Sequence, residues 1–142
     1  MELTYADGQP LLLNEFAYHR IDYTGMLKLT FEKGIQSATF QLLPYTHHQC
    51  QNELEFGGSV YKKFEDSQYL DHYPFTTSFA YHNHCLSFKS IDYSAEERDH
   101  FNSLTRFYIT LWGACQCPFS LQIDLTYKEK VIRKCFTFVM NR

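Results

Sequence analysis

Alternation of apolar and polar positions dominates the last third of the chain. In PFSLQIDLTYK, Phe119, Leu121, Ile123, Leu125 and Tyr127 alternate with Ser120, Gln122, Asp124, Thr126 and Lys128. Successive side chains of a strand point to opposite faces, so this pattern predicts a strand with one face buried. The KEK triplet at 128–130 predicts a turn, and VIRKCFTFVM returns with Ile132, Phe136, Phe138 and Met140 on one face. A C-terminal β-hairpin is expected. Upstream, Leu27, Leu29 and Phe31 alternate with Lys28, Thr30 and Glu32, and Ala38, Phe40 and Leu42 share a phase beyond Lys33-Gly34. These segments predict a second hairpin turning at Lys33-Gly34. LLLNEFAYHRIDY at 11–23 and GGSVYKKF at 57–64 predict further strands, and EDSQYLDHYP at 65–74 a short helix or a loop.

One segment carries helical spacing. In YSAEERDHFNSLTRFYITLWG, residues 93–113, Ser94 and Glu97 form a capping box, and Glu96, Glu97 and Asp99 suit the positive end of a helix. Phe101, Leu104, Tyr108, Leu111 and Trp112 then fall on one stripe, and Gly113 is a natural stop. The expected fold is α+β: an antiparallel sheet or partial β-barrel of about six to eight strands, packed by one major helix at about 94–112, then the C-terminal hairpin. The whole chain, 1–142, is expected to form one globular domain.

Composition supports a β-rich core. Aromatic residues reach 18%, which suits packing on a pleated surface, and charged residues stand at 20%. No apolar run approaches the ~20 residues that span a bilayer, and the acidic N-terminus lacks the basic start of a signal peptide. Five cysteines, an odd number without a secreted domain's spacing, read mostly as reduced, buried small hydrophobes. A cytoplasmic protein without a membrane partner is expected. The net charge of −3 weighs against nucleic acid. Its distribution is uneven: residues 128–142 carry five basic groups against Glu129, or +4, leaving −7 on the rest.

Two short clusters invite a chemical reading. THHQC places His47, His48 and Cys50 together, and AYHNHC places His82, His84 and Cys85 together. Imidazole and thiolate are zinc ligands, and two such clusters meeting in space could complete a tetrahedral site or serve a Cys/His-dependent enzyme. The apolar phase argues against an ordered pair on one strand face. It is odd at Phe79 and Tyr81 and even at Leu86 and Phe88, so a turn or bulge falls at His82-Asn83-His84. CxxC, HExxH, GxSxG, P-loop and GxGxxG patterns are all missing. No catalytic residue and no cofactor is therefore predicted, with zinc the ion that the two clusters would take.

CLSFKSIDYSAEERDHFNSLTRFY, residues 85–108, resembles the last strand and C-terminal helix of PilZ domains. That resemblance implies a small β-barrel that binds a cyclic dinucleotide. The RxxxR pair is lacking here, and DYSAEE at 92–97 lacks the glycine of the [DN]xSxxG motif.

The leading functional expectation is a non-enzymatic interaction or regulatory domain acting through a protein surface. A metal-binding or Cys/His enzyme, and a small-ligand binder with a PilZ-like or other aromatic-lined barrel, are the alternatives. The expected interaction residues are Lys128, Lys130, Arg133, Lys134 and Phe138, and the expected partner is another protein, including a second copy joined through the C-terminal hairpin.

Overall fold

A computed structural model describes residues 1–13, 18–21, 25–44, 56–62, 71–77, 84–113 and 118–140. It contains strands β1 (Glu2–Tyr5), β2 (Leu12–Leu13), β3 (His19–Ile21), β4 (Met26–Thr30), β5 (Ser37–Pro44), β6 (Phe56–Lys62), β7 (Asp71–Thr77), β8 (Cys85–Lys89), β9 (Arg106–Gly113), β10 (Phe119–Thr126) and β11 (Val131–Met140). A 3-10 turn (Ser90–Asp92) and one short helix, α1 (Ala95–Ser103), lie between β8 and β9. The strands form two sheets, ordered β1-β4-β9-β6-β7 and β2-β3-β11-β10-β5-β8. Described pairings are antiparallel except that of β3 with β11.

The architecture is mostly β, which overturns the α+β expectation of a sheet packed by one major helix. The expected helix at 94–112 stops at Ser103. Its start is as expected: the Ser94 hydroxyl accepts from the Glu97 N–H at 3.3 Å. Beyond Leu104 the chain extends into β9, where Phe107, Ile109 and Leu111 are buried. Arg106, Tyr108, Thr110 and Trp112 face the other way. Six of the eight residues Thr105–Trp112 are β-branched or aromatic, and they alternate with period two. The stripe of Phe101, Leu104 and Leu111 combines two inward residues from the helix end with one from a strand. The likeness to a PilZ strand and helix ends at the same point, because a central strand follows a nine-residue helix.

The C-terminal hairpin is present, with β10 and β11 paired from Phe119↔Phe138 to Thr126↔Val131. The expected hairpin of 27–31 with 38–42 is not. β4 pairs with β1 and β9 in the first sheet, and β5 pairs with β10 and β8 in the second. The intervening segment buries Phe31 and Ile35, so it crosses the end of the sandwich instead of turning in solvent. Gly34 in that crossing holds φ +105°, a conformation open to glycine, and its N–H donates to the Asn102 carbonyl at 2.8 Å.

The sheets meet through aromatic side chains. Phe56 of β6 stacks on Phe119 of β10 at 4.9 Å. Phe107 stacks on Phe31 at 5.3 Å and Phe88 at 5.8 Å, and meets Phe40 edge-on at 5.4 Å. Helix α1 closes one end, burying Phe101 against Tyr93 at 5.1 Å. Hydrogen bonds tie the sheets along one margin, where Lys134 Nζ donates to the Met1 carbonyl and the Tyr5 hydroxyl to the Arg20 carbonyl. No helix among the described residues is long and apolar enough to cross a membrane.

Candidate functional site

Of the two His/Cys clusters, only His84 and Cys85 fall among the described residues. His47, His48, Cys50 and His82 lie outside the described residues. His84 and Cys85 are exposed at the start of β8. Among the described residues no group of three or more His, Cys, Asp or Glu is placed to hold a metal ion. Cys85 and Cys135 are free and exposed, which corrects the buried reading for these two thiols. Their register positions fall in one row of the second sheet's outer face, Cys85–Gln41–Gln122–Cys135. Three strand spacings, roughly 14 Å, separate them, too far for a disulfide within the chain.

The expected interaction residues divide. Lys128 and Lys130 are exposed in the β10–β11 turn, with Lys130 Nζ 5.4 Å from the Tyr127 ring centroid. Arg133 holds Asp124 with two hydrogen bonds, at 2.8 and 3.0 Å, across the hairpin. That carboxylate raises the guanidinium pKa. Lys134 is the margin residue bonded to Met1. Phe138 is fully buried against Phe119 and His19 and belongs to the chain's own core.

A buried lysine stands at the centre of a cluster of rings. Lys62 ends β6 on its inward phase and is 2% exposed. Its Nζ donates to the Tyr93 hydroxyl and lies 4.1, 5.4 and 5.5 Å from the ring centroids of Tyr93, Tyr73 and Phe88. Burial pushes the ammonium pKa down, and the negative charges of Asp71 and Glu97 oppose that shift. Burial, with Tyr73, Glu97, Asp71 and Asp92 nearby, pushes the Tyr93 phenol up to about 12. An amine of lowered pKa is a chemical nucleophile, but here three rings and a hydroxyl enclose it. Its geometric effect is to join β6 and β7 of the first sheet to β8 of the second and to the turn before α1, through cation–π contacts.

A second polar pair lies on the first sheet's outer face. Ser59 Oγ and His72 Nε2 share a hydrogen bond of 2.5 Å, and Tyr61 stacks on His72 at 5.1 Å and 27°. Serine beside histidine is the start of a nucleophile–base arrangement. Here Ser59 is only 9% exposed, and β6 is hydrogen-bonded on both sides, by β9 and β7. Its ladder amides are engaged, so an oxyanion would need donors from elsewhere. The pair acts as a cross-strand contact that sets the His72 ring.

Around this pair is a surface that sequence reasoning missed. The register aligns Thr4, Lys28, Tyr108, Tyr61 and His72 in one row across all five strands. Arg106 lies one outward position along β9, its guanidinium carbon 5.9 Å from the Tyr108 centroid. Trp112 lies at the other end of β9 and is 37% exposed. Its ring covers Gly57 so closely that a Cβ there would lie 2.8 Å from Trp112 Cζ2. Reading RFYITLW with period two instead of helical spacing would have placed Arg106, Tyr108 and Trp112 on one outward face.

No protein-family model matches the chain, and no curated protein matches it. Among solved structures it is similar to part of a family 123 glycoside hydrolase from Clostridium perfringens, a protein described as hydrolysing glycolipid glycans. The identity is 10% and the TM-score 0.29, over 83% of this chain and 21% of that one. This chain therefore spans about a fifth of that enzyme's length.

Proposed function

We propose that this chain is a non-enzymatic, cytoplasmic interaction domain that binds a protein partner through the outer face of the β1-β4-β9-β6-β7 sheet. The observation that carries the reading is the shared outward placement of Tyr61, Arg106, Tyr108 and Trp112 on two adjacent central strands. Tryptophan, tyrosine and arginine are the residue types that concentrate binding energy in protein interfaces. The second sheet's outer face differs, because much of its polarity is engaged within the sheet: Thr39 with Ser87, Ser120 with Thr137, and Arg133 with Asp124. A reducing compartment suits the free, exposed thiols of Cys85 and Cys135.

The test is differential capture from host extract on the immobilised chain. A protein retained by the wild type and by Gln41→Ala, on the second sheet, should be lost from Tyr108→Ala and Arg106→Ala, each confirmed by thermal melting to be fully folded at the capture temperature. Retention by both first-sheet variants would reject this face.

A further inference from the structure

We infer that the segment this face receives is acidic: a short stretch of a partner protein carrying aspartate or glutamate, seated across Lys28, Arg106, Tyr108 and Trp112. The inference rests on the reading of the first sheet's outer face as an interface and adds the chemistry of its occupant. It starts from an excess of positive charge on the face. Lys28 stands directly opposite Tyr108, and Arg106 opposite Thr30, so the two cations are diagonal neighbours on adjacent strands. Like charges so placed repel. Glu2 of the edge strand β1, opposite Thr30, is diagonal to Lys28 as well and offsets one of the two charges, leaving the cations in excess. No carboxylate pairs with either among the described residues; the described ion pair, Arg133 with Asp124, lies on the other sheet. This occurs in a chain whose net charge is −3. A local basic spot on an acidic body attracts an anionic group while the remaining surface repels it, which favours docking in one orientation.

The size and composition of the face favour a protein segment. Five strands make it roughly 24 Å wide, and its outward residues extend roughly 20 Å along the strands, on the order of 500 Å². A standard interface takes ~800 Å² from each partner, so this face suits a single segment better than a broad globular surface. Nucleic acid would be held through many phosphate contacts, whereas two cations flanked by aromatic rings provide few. The Tyr61 and His72 rings are stacked on each other, so their faces are turned toward each other and their edges outward. Flat stacking of sugars or bases on this pair is thereby disfavoured, whereas side-chain packing and hydrogen bonding at ring edges are not.

The experiment selects from a random twelve-residue peptide library on the immobilised full chain. The selected peptides are synthesised and titrated against the wild type, Lys28→Glu, Arg106→Glu, Trp112→Ala and, as a second-sheet control, Lys89→Glu, each checked by thermal melting. Heparin is titrated in parallel as a non-peptide polyanion. The expected result is enrichment in Asp and Glu, at least tenfold weaker binding to Lys28→Glu and Arg106→Glu, an unchanged Lys89→Glu, and binding that weakens several-fold between 50 and 500 mM salt. Peptides without acidic enrichment that still depend on Trp112 would overturn the acidic occupant and leave the interface standing. Peptides insensitive to Arg106, Lys28 and Trp112 would overturn both. Heparin binding as tightly as the best peptide, and lost in the same two charge variants, would assign the face to a general polyanion and reject the protein segment.

Discussion

Replacing Phe107 and Tyr108 separately by alanine tests the change from helix to strand. On a helical stripe through Phe101, Leu104, Tyr108 and Leu111, Tyr108 is the core residue and Phe107 is peripheral. In β9 the order reverses: Phe107 is fully buried and Tyr108 faces outward, half-buried. Truncating a buried phenylalanine costs about 3–5 kcal/mol. Phe107 also loses contacts with three rings, Phe31, Phe40 and Phe88, and such pairs are worth about 0.5–1.5 kcal/mol each. The two terms overlap, so about 4–6 kcal/mol is expected for Phe107→Ala. With an unfolding entropy near 2.1 cal/mol/K per residue, a chain of 142 residues loses about 3 °C per kcal/mol, giving a fall of roughly 12–18 °C. Tyr108→Ala removes a half-exposed ring and should cost no more than about 1.5 kcal/mol, or roughly 5 °C. Urea titration and thermal circular dichroism of the two variants measure both numbers. A Tyr108→Ala variant less stable than Phe107→Ala would refute the strand assignment and the inward–outward order built on it.

A Cβ on Gly58 would collide with the Thr110 carbonyl and lie 2.9 Å from Leu111 Cδ2, so Gly58→Ala should cost at least ~3 kcal/mol and reduce the folded yield; a wild-type urea midpoint would contradict this packing. Removing the Ser94 cap with Ser94→Ala should cost ~1 kcal/mol, read from the same titration. Burial lowers the His19 pKa from 6.5, so the unfolded chain takes up protons first and stability should fall as pH drops below 6.5; His19→Gln should flatten that limb of the urea-midpoint profile. On the alkaline side the Tyr93 phenol is raised from 10.0 to about 12, so its contribution is complete below 10.0 and lost as pH rises toward 12, while the lowered Lys62 acts oppositely below 10.5. Tyr93→Phe should reduce the loss above pH 10.0 and Lys62→Met should steepen the decline, and equal slopes in all three proteins would contradict the coupling.

Period-two alternation was legible wherever a strand has one face buried and one face wet, as in β10 and β11. It identifies strands but not their partners. Leu27–Phe31 and Ala38–Leu42 show inward phases that fit either a hairpin or two facing sheets. Buried Phe31 and Ile35 mark the difference, because a solvent turn would not carry two apolar residues over so short a connection. Helical and extended spacing share positions, so the sequence pattern runs past the helix's true end. Leu111 fits both, whereas Phe107 and Ile109 fit only the strand. The same overlap hides the outer-face surface, because helical spacing assigns Tyr108 and Trp112 to the core. The Lys62 box depends on residues 62, 73, 88 and 93 from four separate elements, and no local pattern links them.

The strand order has a consequence for synthesis. β9 lies between β4 and β6, and β10 lies between β5 and β11, so the middle of each sheet is made after strands that must pair with it. When residue 105 leaves the ribosome, β4 and β6 have no strand to separate them, and Phe40 must wait for Ile123, its partner in the register. Loop closure over such distances is slow, and two half-sheets with apolar inner faces stay open until residues 106–126 follow. The pairs β1-β4, β6-β7 and β5-β8 can form earlier, but each half-sheet keeps an open edge until β9 and β10 follow, and such open edges are what makes a partly folded chain prone to aggregate.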